Sequence, residues 1–393
     1  MKAIRTDIQA LRGIAVLMVV LYHVKIGSVN SGYLGVDVFF VISGFLITGL
    51  VADGIERRTF RLTDFYFRRA KRLLPAAYAT ILMTALAAPW FLNQQELRDF
   101  AMQVVGALTF TANIVLWQQT GYFEGASELK PLLHMWSLAL EEQYYLLLPA
   151  AFLLLRRTLW LPAVAALLLL SLALCLLGVS FKPIASFYLL PTRAWELLIG
   201  SMGALLVAKS GGDERITNSV LIRLSFYPSV LTLFLLAFFP VSGAHPGISA
   251  FAICLATLFI ILRRHKGIEA AAITKLLGRI GDISYSLYLV HWPIIALMKN
   301  AWVGTDAELP AHFRLGALAL SFGMAYLLYR LVEKPVHRAR IVLSRKLVIT
   351  TSLASGLLMG VVPAMIYADR NSMSVDYKVG PAKFKPPRRA AVT

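Results

Sequence analysis

The stretch ALRGIAVLMVVLYHV, residues 10–24, sets Arg12 and His23 near the two ends of an otherwise apolar run. Eleven helical positions at 100° each return to within about 20° of the start, so both side chains leave one helix face, roughly 16 Å apart along the axis. Ionisable groups inside a bilayer are expensive, and each calls for a function and a partner. Imidazole titrates near neutral pH and is suited to taking a proton from a reacting hydroxyl. A face with a guanidinium at one end and an imidazole at the other reads as the wall of a channel through the protein.

Other segments repeat the pattern. In HMWSLALEEQYYLLLP, His134, Ser137 and Glu141 share one helical stripe, an arrangement in which a carboxylate orients an imidazole for general-base work. Asp37, in GYLGVDVFFVISGFLIT, is placed either to partner His23 or to cap its helix. Arg193 and Glu196, in PTRAWELLIG, have the spacing of an intrahelical ion pair with a structural role. Ser284, Tyr288 and His291 share a face in DISYSLYLVHWPII, where Pro293 is expected to kink the helix. Glu333, in EKPVHR, is a candidate salt-bridge mate for the basic loops. In FRRAKRLLP, Arg68, Arg69 and Arg72 precede an apolar run, and the last two can reach one anionic group together. Arginine forks suit phosphate, although lipid headgroups would also satisfy them.

The elements that position these groups follow from composition. The chain has 393 residues, 58% hydrophobic and 15% charged, with mean hydropathy +0.68. Its apolar residues fall into runs near 8–25, 33–53, 74–92, 132–155, 160–178, 186–208, 222–240, 247–262, 284–300, 314–331 and 347–366. A spanning helix needs about 20 residues, and in hydrocarbon every backbone group must find an internal partner. The expected fold is therefore an all-α polytopic membrane protein of about 11 transmembrane helices. Residues 101–119 form a further apolar segment, read as re-entrant or surface-lying. Residues 1–340 would form the membrane domain with ten helices, 341–368 an eleventh span, and 369–393 a disordered tail. Cys175 and Cys254 both fall within spans, so neither a disulfide nor a metal site is expected.

The formal charge of +18 resembles that of a nucleic-acid binder, but its placement argues against one. With a cytoplasmic amino terminus, the inner segments hold seven cations from Arg57 to Arg72, Arg156 and Arg157, five from Arg263 to Arg279 and six from Arg330 to Lys346. The outer loops hold only Lys25, Arg98, Lys130, Lys182, Lys299 and Arg314. That asymmetry is the positive-inside pattern, and it puts the tail outside.

TDIQALRGIAVLMVVLYHV, GYLGVDVFFVISGFLIT, FRRAKRLLPA, HMWSLALEEQYYLLLP, TRAWELLIG and ISYSLYLVHWPI together resemble, in order, the motifs of the acyltransferase-3 family. These are bacterial inner-membrane enzymes that O-acylate, mostly O-acetylate, surface polysaccharides. The resemblance implies acetyl-CoA or another acyl-CoA as a cytoplasmic donor substrate, with no permanently bound cofactor. It assigns Arg69 and Arg72, with Arg68 beside them, to the CoA phosphates. Its Arg–His signature falls on Arg12 and His23, and its SLxxE element on Ser137 and Glu141. His23 would act as base on an acceptor hydroxyl, oriented by Asp37 or Glu141, while Arg12 positions the pantetheine arm. The acceptor would be a carbohydrate or lipid-linked glycan such as an O-antigen or exopolysaccharide. Many relatives continue into an extracytoplasmic hydrolase-like domain. This chain is expected to work alone, with a separate extracytoplasmic transferase, or as a truncated version of the fused form. GDIS, residues 281–284, superficially resembles that domain's nucleophile block but is read as the start of a membrane helix. A flippase for a lipid-linked substrate and a non-catalytic partner of a polysaccharide assembly machine are the competing readings.

Overall fold

The computed structural model describes residues 5–120, 127–210, 218–239, 241, 243–302 and 309–338. Helices account for nearly all of them, with no strand among the described residues. In chain order they are α1 (Thr6–His23), α2 (Gly35–Glu56), α3 (Leu62–Ala87), α4 (Gln94–Leu108), α5 (Ala112–Gln118) and α6 (Met135–Leu154). Then come α7 (Trp160–Phe181), α8 (Pro183–Tyr188), α9 (Leu190–Lys209), α10 (Val220–Phe238) and α11 (Ile248–Arg263). The series closes with α12 (Lys266–Ala270), α13 (Ala272–Asp282), α14 (Ser284–Ala301), α15 (Ala311–Leu328), a π-helical turn at Tyr329–Glu333 and α16 (Lys334–Arg338). The expected span at 347–366 and the tail from 369 lie outside the described residues.

Among the described residues, five helical stretches are long and apolar enough to cross a membrane: Gly32–Glu56, Leu62–Trp90, Arg157–Phe181, Val220–Phe238 and Ala311–His337. A sixth is added if α13 and α14, bent by 61° at Ile283, count as one span. Position in the bundle explains which helices are most apolar. Only four of the 22 residues of α7 are buried, so its surface must suit lipid. By contrast, α6 and α9 each bury 11 of 20 residues, and protein neighbours allow them to carry Glu141 and Arg193. Among the described residues the core has two large apolar clusters and a small third one, and α1, α2, α7 and α9 contribute to both large ones.

Glycines permit their close packing. A Cβ at Gly44 of α2 would collide with the Leu197 carbonyl of α9, and one at Gly200 with the Val41 carbonyl in return. The same reciprocity joins α1 to α13, through Gly13 against Leu277 and Gly281 against Gln9. Small residues at such crossings let backbones approach where lipid offers no hydrophobic driving force. At the bend after Gly281, the Ser284 hydroxyl donates to the Gly281 carbonyl at 2.7 Å. The GDIS segment is thus a helix junction.

The segment 101–119 is not one helix. It breaks after Leu108, where Phe110 adopts φ 56°, into the two legs α4 and α5. Asn93 and Glu96 close the start of α4 as a reciprocal capping box. At the break, Gln143 Nε2 donates to the Phe110 carbonyl at 2.9 Å and to Asn113 Oδ1 at 2.8 Å. Protein therefore covers the interrupted backbone, the condition for placing such a segment at membrane depth.

Candidate active site

A cavity of about 480 Å³ lies among α1, α2, α3, α6 and α14. Its polar lining gathers Arg12, Arg68, Arg69, Arg72, Ser137, Glu141 and Tyr288 from four helices, beside apolar Val36, Phe39, Ile42 and Leu138. The five-residue turn between α2 and α3 lets the two helices diverge, and the exposed Leu46, Leu50 and Arg68 stand at the cavity's edge. Arg69 lies over the Tyr145 ring, 4.1 Å from its centroid, and its Nη2 is 3.5 Å from Glu142 Oε1. Arg12 Nη1 donates to Gln9 Oε1 at 3.2 Å, and Gln9 Nε2 donates to Asp282 Oδ1 at 2.8 Å. The guanidiniums are thus aimed by neighbours without being fully neutralised by them.

Glu141 does not orient a histidine, contrary to the stripe read from the sequence. Its Oε1 accepts from Ser43 at 3.1 Å and its Oε2 from Tyr145 at 3.0 Å. His134 begins α6 and packs its ring against Tyr288 and His291, with centroids 5.6 and 6.0 Å away. Ser137 and Tyr288 share a hydroxyl–hydroxyl bond of 2.6 Å, and Tyr288 also donates to the His134 carbonyl at 2.9 Å. Glu333 accepts from Ser286 at 2.7 Å, and no salt bridge joins it to a basic residue among those described.

At the other end of α1 a second cavity, of about 380 Å³, is lined by Tyr22, His23, Asn30, Trp292 and the charged Lys25, Glu128, Lys299 and Arg314. His23 Nδ1 is 3.2 Å from His291 Nε2, and the two rings lie nearly parallel, at 19°, with centroids 5.3 Å apart. Trp292 meets the His23 ring edge-on at 4.6 Å and is itself held by an indole bond to the Lys130 carbonyl at 2.8 Å. The expected channel is therefore two chambers. Tyr288 lines only the first and His23 only the second; fully buried His291 lies between them, 5.5 Å from the Tyr288 ring.

Asp37 does not partner His23. Its Oδ1 accepts from Arg193 Nη2 at 2.9 Å, while Arg193 Nε is 3.1 Å from Glu196 Oε1. All three side chains are fully buried, and the guanidinium sits among the rings of Phe40, Trp136 and Phe187. His245, from the loop before α11, completes the group, with Nε2 3.1 Å from Arg193 Nη1. Burial and the adjacent guanidinium hold its imidazole well below the usual range, so it is neutral and accepts that bond. This cluster lines neither chamber.

Sequence reasoning missed Ser43, Tyr145, Gln9, Trp292 and His245. Two had a signal: Tyr145 stands four residues after Glu141, and Gln9 three before Arg12, both same-face spacings. The others come from distant elements and had none.

Apolar helices around a charged interior, with an arginine-lined chamber set against an imidazole-lined one, define a multi-pass membrane protein with polar cavities inside its bundle. The acyltransferase-3 model, described as an acyltransferase domain, matches residues 5–330, and the chain belongs to that family of membrane O-acyltransferases. A protein of Komagataeibacter xylinus named as a membrane-bound transacylase, BcsY, is 30% identical over 84% of this chain and 82% of its own length. The O-acetyltransferase OatA of Staphylococcus aureus is 31% identical over 84% of this chain and 57% of its own. The peptidoglycan O-acetyltransferase OatA of Listeria monocytogenes is 29% identical over 84% and 56%. The chain thus spans a little over half the length of the OatA proteins it matches. No solved structure matches it significantly.

Proposed function

We propose that this protein transfers an acyl group, acetyl in the simplest case, from cytoplasmic acyl-CoA to a carbohydrate hydroxyl on the opposite side of the bacterial inner membrane. The observation that carries the reading is the pairing of two chambers, one cationic and one containing His23, with the buried His291 ring between Tyr288 of the first and His23 of the second. Arg69 and Arg72, with Arg68 at the edge, would hold the phosphates of the donor, and Arg12 would guide the pantetheine arm. The apolar lining by Val36, Phe39 and Leu138 suits that arm better than it suits a second phosphate group.

In the transfer, the acceptor oxygen forms a C–O bond to the acyl carbon as its proton passes to His23. The C–S bond then breaks, and the proton leaves with the CoA thiol. For thioester and hydroxyl to meet, the layer between the chambers opens, most directly by movement of the Tyr288 side chain. Trp292 and Tyr22 offer aromatic faces to a sugar, with Asn30 and the surrounding charges as its polar contacts. A glycan acceptor agrees with the OatA relative named for peptidoglycan, while an O-antigen or exopolysaccharide acceptor fits the same chamber chemistry.

The orientation follows the loop cations: amino terminus cytoplasmic, about eleven spans, and the α4–α5 hairpin re-entrant from the outer side. Purified protein in nanodiscs, given acetyl-CoA and a glycan oligosaccharide, tests the activity directly. Acyl-ester formation that His23→Ala and Arg69→Ala/Arg72→Ala each abolish supports the reading, and full activity in either variant refutes its assigned roles. Comparing surface glycans by mass spectrometry with and without the gene then identifies the acceptor.

A further inference from the structure

Neither carboxylate expected beside His23 is there, which leaves open what holds the proposed base in its reactive form. Asp37 is bound to Arg193, and Glu141 to Ser43 and Tyr145. The partner that is present is a second imidazole. We infer that His291 is the positioning residue of the base: it accepts the Nδ1 proton of His23 and so leaves His23 Nε2 as the nitrogen that takes the acceptor's proton. The inference rests on the proposed acyl transfer.

The argument begins with an atom that has no choice of role. His291 Nδ1 is 2.7 Å from the Tyr288 carbonyl and 3.2 Å from the Leu287 carbonyl, both in its own helix. A carbonyl oxygen only accepts, so Nδ1 must carry hydrogen. The ring is fully buried, and no carboxylate of a described residue forms an ion pair with it. A lone buried cation is disfavoured, so the ring is neutral and its Nε2 has a lone pair and no proton. Nε2 is 3.2 Å from His23 Nδ1, which must therefore be the donor. A neutral His23 has no second proton. Its Nε2 is thus basic, on a ring that lines the chamber proposed for the acceptor.

The chain of bonds runs Tyr288 carbonyl, His291, His23, then the acceptor hydroxyl. It performs two parts of what a carboxylate does in a catalytic triad: it fixes the tautomer and the ring direction. It does so without a fixed negative charge. When His23 takes the hydroxyl proton it becomes a cation, and its Nδ1–H bond to His291 becomes charge-assisted. That bond is then stronger in the transition state than in the resting enzyme, the requirement for lowering a barrier. The bond to His291 and the edge contact of Trp292 keep the ring from turning over.

Nitrogen-15 NMR of wild-type protein labelled at histidine, in nanodiscs, reads the tautomer directly, with His23 and His291 assigned from their Gln variants. The expected spectrum has His23 protonated at Nδ1 and unprotonated at Nε2; the reverse tautomer overturns the inference. Kinetics supply the second arm. His291→Phe keeps a ring but loses the acceptor, and kcat should fall on the order of 10²–10⁴-fold, as for loss of the tautomer-fixing member of a triad. KM for acetyl-CoA should stay within about twofold, because the first chamber is untouched. His291→Gln, whose amide oxygen can reach the lost nitrogen's place, should recover at least about tenfold of that loss. Equal kcat in the Phe and Gln variants, or wild-type kcat in both, assigns His291 to packing alone and overturns the inference. If His23→Ala remains active, the base reading itself fails; if His23→Ala is inactive while His291→Phe is not, only this inference fails.

Discussion

The bundle contains two buried gatherings of arginine and carboxylate, and they are built on opposite plans. Around Arg193, Asp37, Glu196 and His245 occupy the guanidinium from three directions and aromatic rings surround it. Around the first chamber, Arg12, Arg68, Arg69 and Arg72 face about 480 Å³ of open volume, and Glu141 spends its bonds on Ser43 and Tyr145. Among the described residues, Arg72 makes no hydrogen bond or ion pair to the protein. A buried charge with a closed set of partners is an element of structure; one aimed into a cavity awaits a ligand. Cationic content alone does not separate the two cases. The geometry of the partners does.

The most severe test of this contrast is His23→Ala. Removing the proposed general base should lower acyl transfer by about 10²–10⁴-fold, while loss of its bond to His291 should cost only about 1 kcal/mol and leave the protein folded. A variant that instead unfolds would make His23 a packing residue. Next in size is Arg193→Ala, which strands Asp37 and Glu196 without a cation. Breaking a buried pair in this way typically costs about 3–5 kcal/mol, read as a lowered melting temperature in detergent. Arg72→Ala should do the reverse. Melting should be unaffected, and the apparent affinity for acyl-CoA should fall about tenfold or more, as for loss of a charge-assisted bond. If Arg72→Ala destabilises the fold as strongly as Arg193→Ala, the two clusters are not different in kind.

Smaller effects sharpen the picture. Tyr288→Phe removes the hydroxyl that links Ser137 to the His134 carbonyl, so stability should drop by about 1 kcal/mol. The same variant loosens the layer between the chambers, and hydrolysis of acetyl-CoA without acceptor should rise relative to transfer. The mildest probe is salt. Raising ionic strength from about 0.01 to 0.15 M shortens the screening length from roughly 30 to 8 Å, which should raise KM for acyl-CoA if it binds the open arginines as proposed. The enclosed Arg193 cluster should leave the melting temperature nearly unmoved over that range. A melting temperature that tracks KM across the series would tie both effects to a single cluster.

Much of this organisation is written in single stretches of chain. Apolar runs of spanning length demand helices because lipid offers the backbone no partner, and α1, α2 and α7 fall where those runs lie. The 11-residue interval from Arg12 to His23 puts one side chain at each chamber, because helical periodicity is a local property. The i,i+3 pairing of Arg193 with Glu196 is equally local. Partners from different helices are another matter. Asp37 is 156 positions from Arg193, and His23 is 268 from His291; no periodicity links such distances. The break in α4–α5 was hidden for the same reason, since Gln143, which satisfies it, belongs to α6. Sequence determined which helix face each ionisable residue of the spans occupies. Only tertiary packing decided which of them meet, because every charge must find its counterpart in space, and the helix crossings at Gly44–Gly200 and Gly13–Gly281 set that space.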